Sequence, residues 1–406
     1  MKALQGVPVR RIIAAISDAA DRWSDADFPA RVRLLDRIAE RTGYTIPVVE
    51  YALDQLFFSI TRASLAETID AELGTLDVLD AFARRTDEME ARAMPVGRVC
   101  VISSRTTIGV AIVPAIFALC AKCDVVVKDR EDGLVRAFFS SLYEELDEFG
   151  TAATAESWNG DEGGVDLASF EAVAAFGNDA TMEAIRRRTS ATARFIPFGS
   201  KASIGYVGRQ ALHSFGLHEL AANAARDVVL YESEGCVSLH ALFVERGGNM
   251  EPAQFARAVA QAIERASIEF PPGTRDAGTV AKIAAARNLA AFRSASGSGA
   301  VYSDETASYL TVLDPPQDDA PPFLPRALPI HAVDGPPAAL NYVRRHELPV
   351  EAIAIAGERE DILNMAIEMG VNRITKFGEL QRPPLSETHG GRPRIGEFVR
   401  WVVKEA

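Results

Sequence analysis

Short apolar runs that alternate with longer helical stretches constrain this chain more than any other feature. Residues 97–102, 125–128, 171–176 and 194–197 read as buried strands, and 109–121, 133–146 and 177–188 read as the helices between them. Strands apolar on both faces need helices packed on both sides, so the pattern predicts α/β architecture around a parallel, doubly wound sheet. The alternation resumes with strands at 241–244, 327–332 and 351–356, and helices at 252–266, 279–292 and 359–370. Residues 1–92 show apolar positions at helical spacing and read as helices. Residues 313–325 and 378–394 are rich in Pro, Asp and Gly and read as loops, and a terminal helix is predicted over 395–405.

Composition narrows the class. The 406 residues are 48% apolar, enough for two domains with their own cores. The net charge of −13 repels phosphate backbones and argues against a nucleic-acid partner. A local basic pocket for a phosphorylated cofactor remains compatible with it. Four cysteines (Cys100, Cys120, Cys123 and Cys236) are too sparse for a disulfide framework and point to a reducing compartment. The first residues lack a signal-peptide core, and the longest apolar stretch, 108–120, is interrupted by Pro114 and too short to span a bilayer. A soluble, cytoplasmic protein is expected.

Cys236 is the leading candidate for chemistry. It sits on the turn Glu234-Gly235-Cys236-Val237-Ser238, between a helical stretch (217–231) and an apolar strand (241–244). A cysteine at such a junction can present its sulfur to a substrate, and the nucleophile is the thiolate, so something that lowers its pKa is expected nearby. The alternative is a small buried hydrophobe. His240 follows four residues later and is a candidate acid or base; His389, in a Gly-rich loop, is another. His213, His218, His331 and His346 read as surface residues. Cys120-Ala121-Lys122-Cys123 has no second cysteine pair and no nearby histidine, so it reads as packing, and no metal site is expected.

In open α/β sheets ligands bind outside the carboxyl ends of strands. Those ends are Ser103-Ser104-Arg105-Thr106, Lys128, and Gly177-Asn178, whose hydroxyls, cation and helix N-terminus suit ribose and phosphate. The alternative is ordinary turn chemistry. The chain contains neither GxGxxG nor GxxxxGK[ST].

The order of these pieces resembles the aldehyde dehydrogenase superfamily, and most closely its long-chain acyl-CoA reductase branch, over about residues 95–404. Residues 109–128, ending in Val-Val-Val-Lys128, resemble the segment that ends in the cofactor-binding lysine. Ala175-Phe176-Gly177-Asn178 stands where the family has Phe-Thr-Gly-Ser, and Phe195-Ile196-Pro197-Phe198-Gly199-Ser200-Lys201 where most members have Leu-Glu-Leu-Gly-Gly-Lys. Residues 226–231 with Gly235-Cys236-Val237-Ser238 resemble the nucleophile segment of the reductases, and Gln381-Arg382-Pro383-Pro384-Leu385, His389-Gly390-Gly391-Arg392-Pro393 and 399–402 resemble that branch's C-terminal part.

The resemblance implies a Rossmann-like cofactor domain plus a second, catalytic α/β domain. Its boundaries would fall at 1–92 for the helical N-terminal part, 93–208 for the NAD(P)-binding core, 209–377 for the cysteine domain and 378–406 for the terminal loop and helix. It also implies reduction of an acyl thioester to an aldehyde with NADPH or NADH, through an acyl-Cys236 intermediate. Cys236, His240 and Thr106 would serve catalysis, and Ser103, Ser104, Arg105, Lys128, Phe176, Gly177, Asn178 and Gly199 the cofactor. The acyl group would arrive on coenzyme A, a carrier or an acyl-supplying ligase subunit, and the enzyme would be a homo-oligomer.

Three departures shape that expectation. Pro197 replaces the glutamate base of hydrolytic members, which favours exchange between thioester and aldehyde over release of free acid. Arg105 or Thr106 replaces the asparagine that binds the oxyanion; Thr106 and the Cys236 N–H are the substitutes. The glutamate that holds the nicotinamide ribose falls near Pro322. These losses leave a non-catalytic, partner-binding member of the fold as one alternative; a reductase of acyl phosphates, which resembles the same superfamily and is of similar length, is another. After Lys128, Asp129 favours NADH and Arg130 favours NADPH.

Overall fold

In the computed structural model the described residues are 3–104, 106–129, 133–158, 165–211, 216–297, 299–315 and 323–405. The chain divides into two compact units: residues 1–42, 49–200 and 384–406 form the first, and 43–48 and 201–383 the second.

The first unit opens with helices, among them Val9–Ser24, whose Ile12, Ile16 and Trp23 are fully buried. Helices do not fill the segment as far as residue 92. β1 (Ala83–Thr86) and β2 (Met89–Pro95) form an antiparallel hairpin instead. Five parallel strands then build the main sheet: β3 (Arg98–Ile102), β4 (Asp124–Lys128), β5 (Ala153–Glu156), β6 (Ala172–Phe176) and β7 (Arg194–Phe198), in the order β5-β4-β3-β6-β7. The chain runs outward from β3 to β5, then restarts at β6 on the other side of β3. The strand order therefore reverses between β3 and β6, the place where open α/β sheets bind ligands. Buried helices such as Ile112–Cys120 follow the strands, as expected for strands that bury both faces. Pro197 is tolerated because β7 is an edge strand, where a missing N–H leaves no gap in the ladder.

The second unit is built on a seven-stranded sheet of β8 (Ala202–Val207), β9 (Leu239–Glu245), β10 (Ala300–Tyr302), β11 (Leu310–Leu313), β12 (Ala327–Val333), β13 (Val350–Ala356) and β14 (Arg373–Thr375). Its order is β10-β11-β12-β9-β8-β13-β14, parallel except for β10 against β11. Ile204, Tyr206, Phe243, Ile353 and Ile355 on one face pack against Leu340 and Val343 of helix Pro336–Arg345 and Ile362 and Met365 of helix Glu360–Glu368. The expected boundary at 208 fails because β8 pairs with β9 and β13, which places it in the second sheet. The boundary at 377 shifts as well: 378–383 stay with the second unit and 384–406 return to the first.

The predicted terminal helix is also corrected. Val399–Glu405 is a strand, β15, antiparallel to β2 from Val399–Pro95 to Glu405–Met89. Val399, Trp401, Val402 and Val403 are β-branched or aromatic residues that pack well on a pleated surface, and the open side of β2 supplies their partner. His331 departs from expectation too. It is 2% exposed and packs between Phe243 and Tyr342, and burial brings its imidazole down to about 4.

The second core should be intolerant of truncation. Phe243 is fully buried on the central strand β9. Phe243→Ala should cost about 3–5 kcal/mol, read as a lower denaturation midpoint with an unchanged denaturant slope.

Candidate active site

Cys236 lies three residues before β9, on a turn closed by the Ser238 N–H donating to the Gly235 carbonyl at 3.0 Å. It therefore stands at the amino edge of the second sheet, opposite the edge where doubly wound sheets usually bind ligands. Cys236 is partly exposed, whereas Cys100, Cys120 and Cys123 are buried. Cys123 donates to the Phe398 carbonyl, and burial pushes the Cys120 thiol up to about 12, so the cysteine pair serves packing.

Ser203 of β8 organises the turn. Its hydroxyl donates to the Cys236 carbonyl at 2.8 Å and accepts the Ala352 N–H of β13 at 3.2 Å, while its own N–H donates to His240 Nδ1 at 3.3 Å. The strands beside β8 are both irregular at this level. Ser203 pairs with Leu239 while Ile204 pairs with Ala241, so His240 is an extra residue in β9. Ala202 pairs with Val350 while Ser203 pairs with Ala352, so Glu351 is an extra residue in β13. Such bulges re-aim side chains next to functional sites. Here they set a buried imidazole and a buried carboxylate on either side of Ser203.

The electrostatics run against the expectation of a lowered thiol pKa. Burial pushes the Cys236 thiol up to about 11, and the Glu351 carboxylate adds to the rise. The backbone N–H groups of Cys236 and Val237 and the Lys201 ammonium oppose it. Burial also brings His240 down to about 4, so it is a neutral ring at physiological pH. With Ser203 donating to Nδ1, its proton resides on Nε2.

Two of the family-like stretches meet at this turn. Gln381 Nε2 donates to Ser238 Oγ at 2.8 Å, and the Gly378 N–H donates to Asp227 Oδ2 at 2.7 Å. Asp227 is fully buried, and burial raises its carboxyl to about 7. Upstream of Cys236, helix Leu217–Val229 gives way to a left-handed turn in which Tyr231, Glu232 and Ser233 have φ of 54, 54 and 58°.

The residues expected to bind the cofactor lie in the first unit. Ser103, at the end of β3, is buried, and its N–H donates to the Lys128 carbonyl at 3.2 Å. Lys128 ends β4, is 8% exposed and holds its ammonium 5.1 Å from the Trp158 ring centroid. Ser104 and Thr106 are half-buried beside them. Arg105, Arg130, His213 and Pro322 lie outside the described residues. Phe176 ends β6 and stacks on Phe198 at 4.5 Å. Gly177 and Asn178 open helix Asp179–Arg188, and Asn178 Oδ1 caps it by accepting the Thr181 N–H and hydroxyl at 2.9 Å each. The Asn178 side chain is thus spent on the helix. A Cβ at Gly199 would lie 2.7 Å from Asp179 Oδ1, so that carboxylate, which accepts the Ser200 N–H, would have to shift. Ser103, whose hydroxyl donates to the Ser104 carbonyl, Ser104, Lys128 and the Gly177 helix start lie at the carboxyl ends of β3, β4 and β6, beside the point of strand reversal, and hydroxyl, ammonium and helix-start donors are the types that suit ribose and phosphate oxygens.

His389 stacks on Phe198 at 4.3 Å, and burial with the nearby Arg394 charge brings it down to about 3. It lines a cavity of only about 20 Å³ with Phe117, Phe198 and Arg394, so it packs in the first unit. Sequence reading missed Ser203 and Glu351. The one signal was an acidic residue at the head of an otherwise apolar strand.

The acyl-CoA reductase (LuxC) family matches residues 4–401. The chain belongs to that family. It is an acyl-CoA reductase, an oxidoreductase that takes an acyl thioester to an aldehyde. Its fold is that of the aldehyde dehydrogenases. An NAD-dependent benzaldehyde dehydrogenase from Corynebacterium glutamicum matches with a TM-score of 0.70 and 14% identity over 100% of this chain and 86% of that one. A glyceraldehyde-3-phosphate dehydrogenase from Methanocaldococcus jannaschii, complexed with NADP, gives 0.71 and 11% over 99% and 91%. Aldehyde dehydrogenase 21 from Physcomitrella patens, bound to succinate, gives 0.70 and 10% over 100% and 88%. No curated protein matches the chain. Among the described residues no helix is long and apolar enough to cross a membrane.

Two outcomes follow. Alkylation of Cys236 by iodoacetamide, followed by peptide mass spectrometry, should be slow at pH 7 and rise about tenfold per pH unit toward pH 11, since only the thiolate reacts. His240 has a folded pKa below its unfolded value, so its contribution to stability is present above about pH 6.5 and lost as pH falls toward 4. His240→Gln should flatten the stability–pH curve in that window, read by denaturant titration.

Proposed function

We propose that Cys236 carries the acyl group between thioester and aldehyde. The observation that supports this is a partly exposed thiol on a turn whose carbonyl is fixed by Ser203, at the amino edge of the second sheet. Cys236 Sγ attacks the thioester carbon, the carbon–sulfur bond to the carrier breaks, and the carrier thiol leaves with the proton that Cys236 gives up. A bound NADPH or NADH supplies the hydride. With a proton from solvent, the acyl-cysteine becomes a thiohemiacetal, which releases the aldehyde and restores the Cys236 thiol.

The chain's own groups fit these steps. The Cys236 N–H, which favours the thiolate, is assigned as a donor to an oxyanion formed on the attached carbonyl. Thr106 is assigned as a second donor. The raised thiol pKa means that Cys236 rests protonated and must ionise before it attacks. Lys201 and the backbone amides are the groups that favour that ionisation. Pro197 supplies no base for water at the position where hydrolytic members keep one, which supports aldehyde as the end product.

Ser103, Ser104, Lys128, Phe176, Gly177, Asn178 and Gly199 are assigned to the dinucleotide. Asn178 contributes through the helix it caps, and Gly199 through the space it leaves. We further assign the protein to the cytoplasm as a homo-oligomer that receives its acyl group from coenzyme A, a carrier or a ligase subunit.

Incubation with a panel of acyl-CoAs, without reductant, should leave an acyl adduct on the Cys236 peptide by mass spectrometry. Cys236→Ala should lose the adduct and lower turnover at least a thousandfold. Full turnover in Cys236→Ala would overturn the assignment. Thr106→Val should lower kcat by about 10²–10³-fold with little change in KM, the cost of one oxyanion donor.

A further inference from the structure

Among the described residues seven non-glycine residues have positive φ: Lys122, Tyr231, Glu232, Ser233, Ala307, Arg326 and Glu347. L-residues rarely adopt that conformation, and persistent examples gather where surrounding structure over-determines them. Five of the seven belong to one network. Tyr231, Glu232 and Ser233 form the left-handed turn that ends two residues before Gly235-Cys236. Arg326 binds the carboxylate of that turn, and Ala307 supplies a carbonyl to the second arginine.

The centre of the network is Glu232, buried between two guanidinium groups. Arg326 Nε donates to Glu232 Oε1 at 2.7 Å, and Arg275 Nη2 donates to Glu232 Oε2 at 2.9 Å. The Gly273 N–H donates to Oε1 at 3.3 Å. The arginines are themselves tied down. Arg326 donates to Ser267 Oγ and to the Phe270 and Pro271 carbonyls, and Arg275 to the Ala307 and Ser308 carbonyls. The side-chain exposures are 7% for Glu232, 0% for Arg326 and 10% for Arg275. Ser233 Oγ adds a bond to the Val228 carbonyl at 2.8 Å, and Tyr231 packs edge-on against Tyr44 at 6.0 Å. A buried charge network of this kind is weak evidence for stability, because desolvation offsets much of the attraction. It does fix geometry, and here it fixes a backbone that no local preference would maintain.

We propose that Glu232, Arg275 and Arg326 are positioning residues: they hold the left-handed turn, and through it place the partly exposed Cys236 in its reactive orientation. The inference rests on the reading of Cys236 as nucleophile. When the clamp is opened, the turn relaxes toward ordinary backbone angles. The thiol then gains water, ionises more readily and loses its aim at the acyl carbon. Alkylation and turnover therefore move in opposite directions while the KM for NADPH is kept, a combination that a general loosening of the fold would not produce.

The test compares Arg326→Met, Arg275→Met and Arg326→Lys with the parent. The readouts are the pH profile of Cys236 alkylation by iodoacetamide, kcat and KM with NADPH and the best acyl-CoA of a chain-length panel, and Tm. The expected result for Arg326→Met is at least tenfold faster alkylation at pH 8 and at least tenfold lower kcat, with KM for NADPH within twofold of the parent. Arg326→Lys, which keeps the charge, should recover most of both. Arg275→Met, at the less buried partner, should shift both in the same directions, and it decides the matter if Arg326→Met does not fold. Parent-like alkylation and kcat with only a lowered Tm would overturn the proposal. Cys236→Ala run in parallel separates the two failures. Full turnover there removes the nucleophile assignment, whereas parent-like Arg variants beside an inactive Cys236→Ala remove only the clamp.

Discussion

The hydroxyl of Ser203 is the interaction on which the amino edge of the second sheet depends. One oxygen joins the Cys236 turn to β13, and the same residue's N–H engages His240 on β9. Three neighbouring strands are thereby locked at one level, where both outer strands carry an extra residue. A hydroxyl can do this because it donates and accepts at once. An aliphatic side chain of similar size would leave the Cys236 carbonyl and the Ala352 amide unpaired in a buried setting, where each costs about 1–3 kcal/mol.

Around that point the protein trades stability for geometry. Three successive left-handed residues cost roughly 1–2 kcal/mol each relative to ordinary helical angles. The Cys236 thiol is held protonated, and His240 is held neutral, both mainly by burial. A protonated, partly covered thiol is also slow to oxidise.

Much of this architecture is legible in the sequence because strands buried on both faces announce themselves as apolar runs. β3, β4, β6, β7, β9, β12 and β13 all carry that signature. β8 is harder to see. Ala-Ser-Ile-Gly-Tyr-Val mixes small and polar residues, because Gly205 must leave room for Phe377 and Leu242, and Ser203 must make its bonds. β15 misleads because Val-Arg-Trp-Val-Val-Lys-Glu suits either a short helix or an edge strand, and only the open flank of β2 decides. Among the candidate residues, Cys236, Lys128 and Gly177 draw attention by their places at chain reversals. Ser203 and Glu351 cannot, since their importance comes from bulges and pairings that no local pattern encodes. The direction of the thiol's shift is likewise hidden, because desolvation depends on which chain segments close around the turn.

The late pairing of β15 with β2 has a consequence for how the chain comes together. Val399 meets Pro95 across roughly 300 residues, a contact whose closure entropy is large but grows only logarithmically with length. During synthesis β2 is therefore left with one unsatisfied flank until roughly 300 further residues have emerged, while every strand of the seven-stranded sheet is already made. An open strand flank is a template for adventitious pairing between nascent molecules. Arg92 and Glu90 on β2, and Arg400, Lys404 and Glu405 on its eventual partner, put charges along that ribbon, which discourages such encounters until the proper strand arrives.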